Sequence, residues 1–285
     1  MKDFLIATNY IKDSNLMLTT RIENYLEERG CTYRRILGNC GAVAAENDVS
    51  FSISENDSYD CALALGGDGT ILQVSRDLRN TDIPIVGVNL GTIGFLTEIE
   101  PNQIEDVLDR LIKDDYLVEE RMNIEGSLVK DGQALNWDIA LNDIVITRAG
   151  FSRVIGLKIY VNGKVMEIYE ADGVIVSTPT GSTGYNLSAG GPIVSPKTDI
   201  IILTPISSHS LTSKSIVLSS SDEIEIEVLK MRKAQKEEAI LSFDGQPGIQ
   251  LSPGDKVKIV RSDMTTKMIK LFDVSFYKVL RDKLR

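Results

Sequence analysis

Apolar residues follow two different periods along the first 120 residues. Short apolar runs at Phe4–Thr8, Tyr59–Leu65 and Ile83–Asn89 are typical of strands buried on both faces. Between and after them, apolar residues recur every three or four positions in Asn15–Glu28 and Asn102–Lys113, which predicts amphipathic helices. Strands that alternate with helices indicate a parallel sheet with helices packed on its faces.

The period changes near Leu117, and most segments from there to about residue 260 have the pattern of strands. Asn162-Gly163 predicts a hairpin between Gly156–Val161 and Val165–Tyr169, because both central residues of a type I′ turn need a positive φ. Lys130-Asp131-Gly132-Gln133 predicts a second turn. Further strands are predicted at Gly173–Ser177, Ile200–Leu203, Ile216–Leu218, Ile224–Leu229 and Val257–Val260. The pattern favours a sandwich or barrel-like second domain, followed by a helix over Val274–Leu284.

The length of 285 residues fits two domains, since domains usually contain about 100–200 residues. We expect an α/β domain over residues 1–118 with a parallel, Rossmann-like sheet. We expect an all-β sandwich over residues 119–260. The C-terminal segment, residues 261–285, should pack back on the first domain.

Charge and composition restrict the function classes. With 41 acidic and 31 basic residues the net charge is −10, which makes nucleic acid an unexpected partner. Three widely spaced cysteines, at positions 31, 40 and 61, fit free thiols in a reducing cytoplasm. No signal peptide and no apolar stretch near the roughly 20 residues of a membrane span is visible, so we expect a cytoplasmic protein without a membrane partner. A single histidine, His209, excludes a histidine-rich metal site.

The first segment with chemical potential is Gly66-Gly67-Asp68-Gly69-Thr70, between a buried strand and a helix predicted over Thr70–Arg79. Glycine N–H groups at a helix N-terminus form an anion site suited to phosphates. Asp68 would repel an anion directly, but it fits a carboxylate that bridges through Mg²⁺ or takes a proton from a hydroxyl. The alternative is an ordinary turn in which Asp68 caps the helix.

Four further segments carry polar groups in suggestive positions. Asp172–Pro192 contains a buried strand that leads into a loop rich in hydroxyls and glycine, with Tyr185 available to stack on a base. Asn142-Asp143 could read an adenine edge and ribose hydroxyls. Pro205–Lys214 contains His209, for which a structural hydrogen-bonding role is the default, and Ser242–Gln246 by itself predicts a turn. A Walker A loop and a G-x-G-x-x-G motif are both absent from the sequence.

Taken in chain order, these five segments resemble the ATP-dependent NAD kinase family, and the resemblance covers nearly the whole chain. The GGDGT of residues 66–70 is also similar to elements of diacylglycerol kinases, sphingosine kinases and phosphofructokinases. Asp172–Pro192 is far more specific for the NAD kinase family. Gly87–Leu96 resembles the family's second glycine loop. At residues 142–143 the family usually has Asn-Glu, and Lys214-Ser215 replaces a common Arg-Pro.

The resemblance implies transfer of the ATP γ-phosphoryl group to the 2′-hydroxyl of the adenosine ribose of NAD, giving NADP. It implies Asp68 as the general base and a phosphate cradle made of Gly66, Gly67, Gly69 and Thr70. It implies an NAD site that includes Asn142, Asp143, Asp172, Thr180, Thr183, Tyr185, Ser188 and Asp244. A divalent cation, Mg²⁺ or Mn²⁺, and a homodimer or homotetramer are implied as well, with no residue assigned to the metal.

Several alternatives stay open at this point. A lipid kinase of the diacylglycerol kinase type shares GGDG, and a catalytically silent NAD(P)-binding sensor could use the same scaffold, although the intact Asp68 argues against a silent protein. A metal hydrolase would need Asp68, Asp143, Asp172 and Asp244 to converge. The donor could be ATP or inorganic polyphosphate, and the acceptor NAD or NADH.

Overall fold

The computed structural model describes residues 1–38, 58–91, 94–130, 133–150, 154–209, 214–230, 239–272 and 275–283. The chain forms two compact units, Met1–Glu120 together with Thr266–Arg285, and Arg121–Thr265. Cys40 and the centre of the turn predicted at Asp131-Gly132 lie outside the described residues. Within the described ranges, no helix combines the length and the hydropathy needed to cross a bilayer.

The first unit contains the predicted parallel sheet. Its first elements are the strands Asp3–Asn9 (β1), Thr32–Gly38 (β2), Cys61–Gly66 (β3) and Ile85–Asn89 (β4), and the helices Met17–Glu28 (α1), Asp68–Asp77 (α2) and Ile104–Ile112 (α3). The strand order is β2-β1-β3-β4, and each of these neighbouring pairs is parallel. The sheet therefore confirms what the alternation of strands and helices predicted.

Burial of one face of each helix explains why these segments are helical. Ile22 and Leu26 of α1 and Val107, Leu108 and Leu111 of α3 are buried in one cluster with the strands. Full burial of such a side chain contributes about 1.5–3 kcal/mol, which outweighs weak local propensities. Helix α2 begins at Asp68, two residues before the predicted start, where a carboxylate in the first turn is stabilised by the helix dipole.

The second unit is an antiparallel sandwich, as predicted. Its strands are Leu117–Lys130 (β5), which begins at the end of the first unit, Gln133–Ala140 (β6), Asp143–Arg148 (β7), Ile155–Val161 (β8), Lys164–Ala171 (β9), Gly173–Ser177 (β10), Ile200–Ile206 (β11), Ile216–Ser219 (β12), Ile224–Leu229 (β13), Ala239–Phe243 (β14) and Ile249–Leu251 (β15), with one short helix at Tyr185–Ser188 (α4). One sheet has the order β12-β11-β10-β7-β14-β15, and the other contains β13-β8-β9 and the β5-β6 pair. Side chains of both sheets form one core, including Ile124, Ile144, Leu157, Val174 and Ile226.

The hairpin between β8 and β9 has the predicted turn. Asn162 and Gly163 have φ values of 50° and 73°, as a type I′ turn requires. The Asn162 amide also supports the neighbouring loop, because its Oδ1 accepts the N–H of Glu223 at 2.9 Å.

The last strand, Lys256–Lys270 (β16), is longer than the predicted Val257–Val260, and it is followed by the helix Phe276–Lys283 (α5). The extension escaped the sequence pattern because hydroxyl residues, Ser262 and Thr266, occupy buried positions on it. Thr266 is satisfied by Ser75, at 2.6 Å between the two hydroxyl oxygens. Residues 266–285 belong to the first unit, so the C-terminal helix returns to that unit as predicted.

The turn at Asn162-Gly163 generates a stability prediction. Gly163→Val places a β-branched residue at a φ of 73°, which should destabilise the protein by about 1–2 kcal/mol. The midpoint of urea unfolding, followed by circular dichroism, should fall accordingly. Lys164→Val, at the next position on an extended strand, is the matched control; an equal loss in both variants would contradict a turn-specific effect.

Candidate functional site

The strand–turn–helix at Gly66–Thr70 is the centre of the candidate site in the first unit. Gly66 ends the buried strand β3, and Gly67 lies immediately before α2. Thr70 is buried, and its hydroxyl oxygen accepts the N–H of Gly67 at 3.4 Å. This bond holds the turn from inside, so the turn's outer surface is formed by glycine backbone, to which an anion can approach closely.

The Asp68 carboxylate binds the second glycine loop. Its Oδ2 accepts the N–H of Phe95 at 2.7 Å. Its Oδ1 accepts the N–H groups of Leu96 and Thr97 at 3.1 and 3.2 Å, and the Thr97 hydroxyl at 3.3 Å. A Cβ on Gly94 would lie 1.7 Å from Oδ1, so only glycine fits at that position. The two glycine segments found in the sequence are thus joined through the side chain of Asp68.

Two lysines, which sequence reasoning missed, lie beside these loops. The Nζ of Lys12 would be 2.6 Å from a Cβ placed on Gly67. The Nζ of Lys283, on α5, lies 4.1 Å from the centre of the Phe95 ring. Burial lowers the pKa of the Lys283 ammonium, and the negative charge of Asp68 partly opposes that shift. Neither lysine lies in a sequence motif. Only the three-dimensional fold shows that they lie beside the glycine loops.

In the second unit, Asp244 fixes the backbone of the Asn142-Asp143 segment. Asp244 follows β14 with a φ of 48°. Its Oδ2 accepts the N–H of Leu141 at 2.8 Å, and its Oδ1 accepts those of Asn142 and Asp143 at 2.8 and 3.0 Å. Both carboxylate oxygens thus bind the backbone, and Asp244 supports the polar pair directly.

The loop after β10 packs against the same segment from another direction. The carbonyl oxygen of Asn142 accepts the Ser177 hydroxyl at 3.2 Å and the N–H of Thr178 at 2.9 Å. A Cβ on Gly181 would come within 2.1 Å of that oxygen, so a side chain there would push the two loops apart. The Ser/Thr/Gly-rich loop is therefore an ordered wall around Asn142 and Asp143.

Two buried polar groups of this cluster have properties that a hydrogen-bonding ligand could use. Among the described residues, the Oδ1 of Asn142 is a buried oxygen that receives no hydrogen bond. Asp143 is only 5% exposed, and burial together with the neighbouring Asp244 carboxylate raises the pKa of its carboxyl to about 7. An unsatisfied buried polar atom costs about 1–3 kcal/mol, which a hydrogen-bonding ligand would remove.

The remaining predicted residues of the second unit fall into two groups. Thr180 is buried, Thr183 donates its hydroxyl to the Thr180 carbonyl at 3.3 Å, and Tyr185 and Ser188 are exposed on α4. These four lie on the loop that packs against Asn142.

Asp172 lies elsewhere, paired with Arg148 at 2.7 Å between Oδ1 and Nε. In the β10–β7 ladder, Ser177 is opposite Asp143 and Gly173 is opposite Thr147. Asp172 is therefore separated from the Asn142–Asp143 cluster by a strand of about 13 Å.

Among the described residues, the potential metal ligands do not form a cluster. No three His, Cys, Asp or Glu side chains of these ranges come together in a way that would hold a metal ion. Asp68, whose carboxylate accepts four hydrogen bonds, is therefore not part of such a cluster. This donor set fits Mg²⁺ that is held mainly by substrate phosphates and water, and it does not fit an all-protein cage.

Comparison with known proteins connects both clusters to one family. The ATP-NAD kinase N-terminal domain matches residues 4–116, and the ATP-NAD kinase C-terminal domain matches residues 141–271. The NAD kinase of Lachnoclostridium phytofermentans is 46% identical over 285 residues, with 99% of each chain covered.

Two solved structures have the same fold. Yeast NADH kinase complexed with NADH matches with a TM-score of 0.82 at 26% identity, covering 100% of this chain and 87% of that one. An NAD kinase from Archaeoglobus fulgidus in complex with ATP matches with a TM-score of 0.76 at 28% identity, covering 100% of this chain and 99% of that one.

The raised pKa of Asp143 predicts a characteristic dependence of stability on pH. A carboxyl with a pKa of about 7 in the folded protein and about 3.9 when unfolded binds more protons in the folded state between those values. Its ionisation therefore destabilises the fold as the pH rises from 4 to above 7. Asp143→Asn removes this destabilisation. The gain in the free energy of unfolding is a few kcal/mol at most, since one pKa unit corresponds to about 1.4 kcal/mol.

The melting temperature of Asp143→Asn should therefore exceed that of the wild type more at pH 8 than at pH 5, as measured by calorimetry across this range. Asp138→Asn is a control for the loss of one negative charge, on β6, the strand that precedes β7 in the chain. Melting curves of wild type and Asp143→Asn that stay parallel at every pH would refute the assignment.

Proposed function

The chain belongs to the ATP-NAD kinase family, and on that premise we propose that it transfers the γ-phosphoryl group of ATP to the 2′-hydroxyl of the adenosine ribose of NAD. The products are NADP and ADP. The observation that supports this most strongly is the position of Asp68, fixed by four hydrogen bonds at the start of α2, beside a turn of glycine backbone.

In this mechanism Asp68 is the general base. The 2′-oxygen forms a bond to the γ-phosphorus, the bond from that phosphorus to the β,γ-bridging oxygen breaks, and ADP leaves with the bond's electrons. The hydroxyl proton passes to Asp68. Its Oδ2 accepts one N–H in the structure, that of Phe95, and so retains a lone pair for the proton. General-base assistance of this kind typically contributes about 10²–10⁴-fold in rate.

The donor's phosphates would lie on the glycine turn. The N–H group of Gly69 and the positive end of α2 would attract the anion. Gly67 donates its N–H to the Thr70 hydroxyl and would allow close approach of the phosphate to its backbone, while Gly66 and Thr70 give the turn its shape. A divalent cation, Mg²⁺ or Mn²⁺, that arrives with the phosphates would neutralise part of their charge, and Asp68 is a carboxylate that could contribute to holding it. This arrangement makes positioning and charge compensation the main contributions of the protein.

NAD would bind at the Asn142–Asp143 cluster in the second unit. The unsatisfied Oδ1 of Asn142 is an acceptor suited to the adenine amino group, and Asp143 is suited to ribose hydroxyls. Tyr185 offers an exposed ring for stacking. The binding surface would also include Thr180, Thr183 and Ser188. Asp244 would support it by fixing the backbone of residues 141–143, and Asp172 would contribute to NAD binding from the other end of β10.

Location and assembly complete the proposal. The free thiols of Cys31 and Cys61 support a reducing, cytoplasmic compartment. Val165 and Ile168, each about half exposed on β9, support a homodimer or homotetramer that would cover them.

An end-point assay tests the function directly. Purified protein would be incubated with NAD, Mg²⁺ and either ATP or polyphosphate, and NADP would be measured with an NADP-specific dehydrogenase; NADH would replace NAD in a parallel series. NADP formation supports a kinase and identifies its donor. NAD binding without any turnover in all of these series would instead favour the silent sensor.

Asp68→Asn should lower kcat by about 10²–10⁴-fold because the base is lost while the side chain keeps its size. Thr97→Val is the matched control, since it removes one hydrogen bond to Asp68 and leaves the carboxylate. Rates of NADP formation should separate the two variants by at least tenfold. Similar losses in both would show that the loop's geometry, and not proton transfer, is what Asp68 supplies.

A further inference from the structure

Lys12 is placed by a tightly hydrogen-bonded turn at the end of β1. The side-chain Oδ1 of Asn9 accepts the N–H groups of Ile11 and Lys12 at 3.1 and 3.3 Å. The carbonyl oxygen of Asn9 accepts the N–H groups of Lys12 and Asp13 at 3.1 and 3.0 Å. Such a turn fixes the backbone of Lys12 before any ligand arrives.

Asp13 connects this turn to α1. Its buried carboxylate accepts the N–H of Thr19 at 2.9 Å and that residue's hydroxyl at 2.7 Å. The Thr19 hydroxyl in turn lies 2.9 Å from the hydroxyl of Thr8 at the end of β1. The segment that carries Lys12 is therefore held at both of its ends.

The Lys12 ammonium lies where two glycine loops meet. Its Nζ would be 2.6 Å from a Cβ on Gly67 and 3.8 Å from a Cβ on Gly91. A side chain on Gly67 would displace the ammonium, so the glycine at that position leaves room for the cation. The position is also next to the N-terminus of α2, which begins one residue later, at Asp68.

The charge of Lys12 has no evident partner there. Across the residues that the structure describes, no carboxylate lies within 4.0 Å of its Nζ. A helix N-terminus carries about half a positive charge, so a second cation beside it is unfavourable unless an anion binds both. An arrangement that stabilises folding would place the lysine at a helix C-terminus instead.

A buried side-chain oxygen at the same end of the sheet also receives no hydrogen bond within the part of the chain that the structure describes. Asn89 is only 5% exposed, and among the described residues its buried Oδ1 receives no hydrogen bond. Its amide Nδ2 donates to the carbonyl of Gly91 at 3.0 Å, and Asn89 is opposite Gly66 in the β3–β4 ladder. A water or hydroxyl brought by a hydrated, charged ligand would satisfy this oxygen.

We propose that Lys12 binds the phosphate chain of the phosphoryl donor at the Gly66–Gly67 turn. This inference rests on the proposed function, and it adds a substrate-binding residue from the turn after β1 to the glycine cradle. The ammonium would share the oxygens of the transferred phosphate and its neighbour with the glycine N–H groups. The same contact is available to ATP and to inorganic polyphosphate, because it involves the phosphate chain alone.

The variants are Lys12→Ala, Lys12→Arg and, as a control for the loss of one exposed positive charge in the same unit, Lys113→Ala. Titration calorimetry with inorganic tripolyphosphate would measure phosphate-chain binding in the absence of NAD and of turnover. Kinetics of NADP formation would give KM separately for ATP, for polyphosphate and for NAD. Melting temperatures would verify that each variant is folded.

Lys12→Ala should weaken tripolyphosphate binding and raise the KM for ATP by about 10- to 100-fold, because a charge-assisted hydrogen bond is lost. The KM for NAD should change less than twofold, Lys12→Arg should recover part of the affinity, and Lys113→Ala should resemble the wild type. If only one of the two donors supports turnover in the wild type, the rise in KM should be seen with that donor.

Unchanged tripolyphosphate binding in Lys12→Ala would overturn the proposal, and so would an equal rise in the KM values of donor and NAD. Wild-type protein that makes no NADP would instead refute the proposed function. In that case the calorimetric comparison of wild type and Lys12→Ala would still decide whether Lys12 binds a phosphate chain.

Discussion

A carboxylate that accepts three consecutive backbone N–H groups organises the candidate site in each unit. Asp68 binds the amides of residues 95–97, and Asp244 binds those of residues 141–143. Charge-assisted bonds of this kind are roughly twice as strong as neutral ones, and three of them fix the backbone of each of these segments. Each aspartate is also followed by glycine in the sequence.

The two aspartates differ in what surrounds them. The charge of Asp244, together with burial, raises the pKa of the neighbouring Asp143. Asp68 lies at the start of a helix, beside the glycine turn where we propose that the phosphoryl donor binds. The same structural device therefore supports the proposed NAD site in one unit and the proposed general base in the other.

The sequence pattern was sufficient for the fold class, though not for every strand, because burial determines the pattern. Strand β3 is buried at all six positions and α3 buries a regular apolar stripe, so both follow from periodicity. The end of β16 was missed since Ser262 and Thr266 are buried through hydrogen bonds, which an apolar pattern cannot reveal. The family resemblance, confirmed by the comparisons, drew attention to Asp68 and to Asn142-Asp143, while their hydrogen-bond partners became visible only in three dimensions.

Lys12 shows why some of the site lies beyond any local motif. It is 55 positions before Gly67 in the sequence, and only the parallel pairing of β1 with β3 brings the ends of the two strands together.

The position of Lys12 beside a helix N-terminus lowers the stability of the ligand-free fold, because a cation there is unfavourable. The buried oxygens Asn89 Oδ1 and Asn142 Oδ1 lower it as well, because neither receives a hydrogen bond among the described residues. The net charge opposes binding of such ligands, because a chain with a charge of −10 repels anionic substrates at long range. Local groups must therefore supply the attraction, and in the proposed site the glycine amides and a well-held lysine would do so without adding a flexible cationic surface. Several features that do not favour folding alone therefore lie where we propose that a phosphorylated ligand binds.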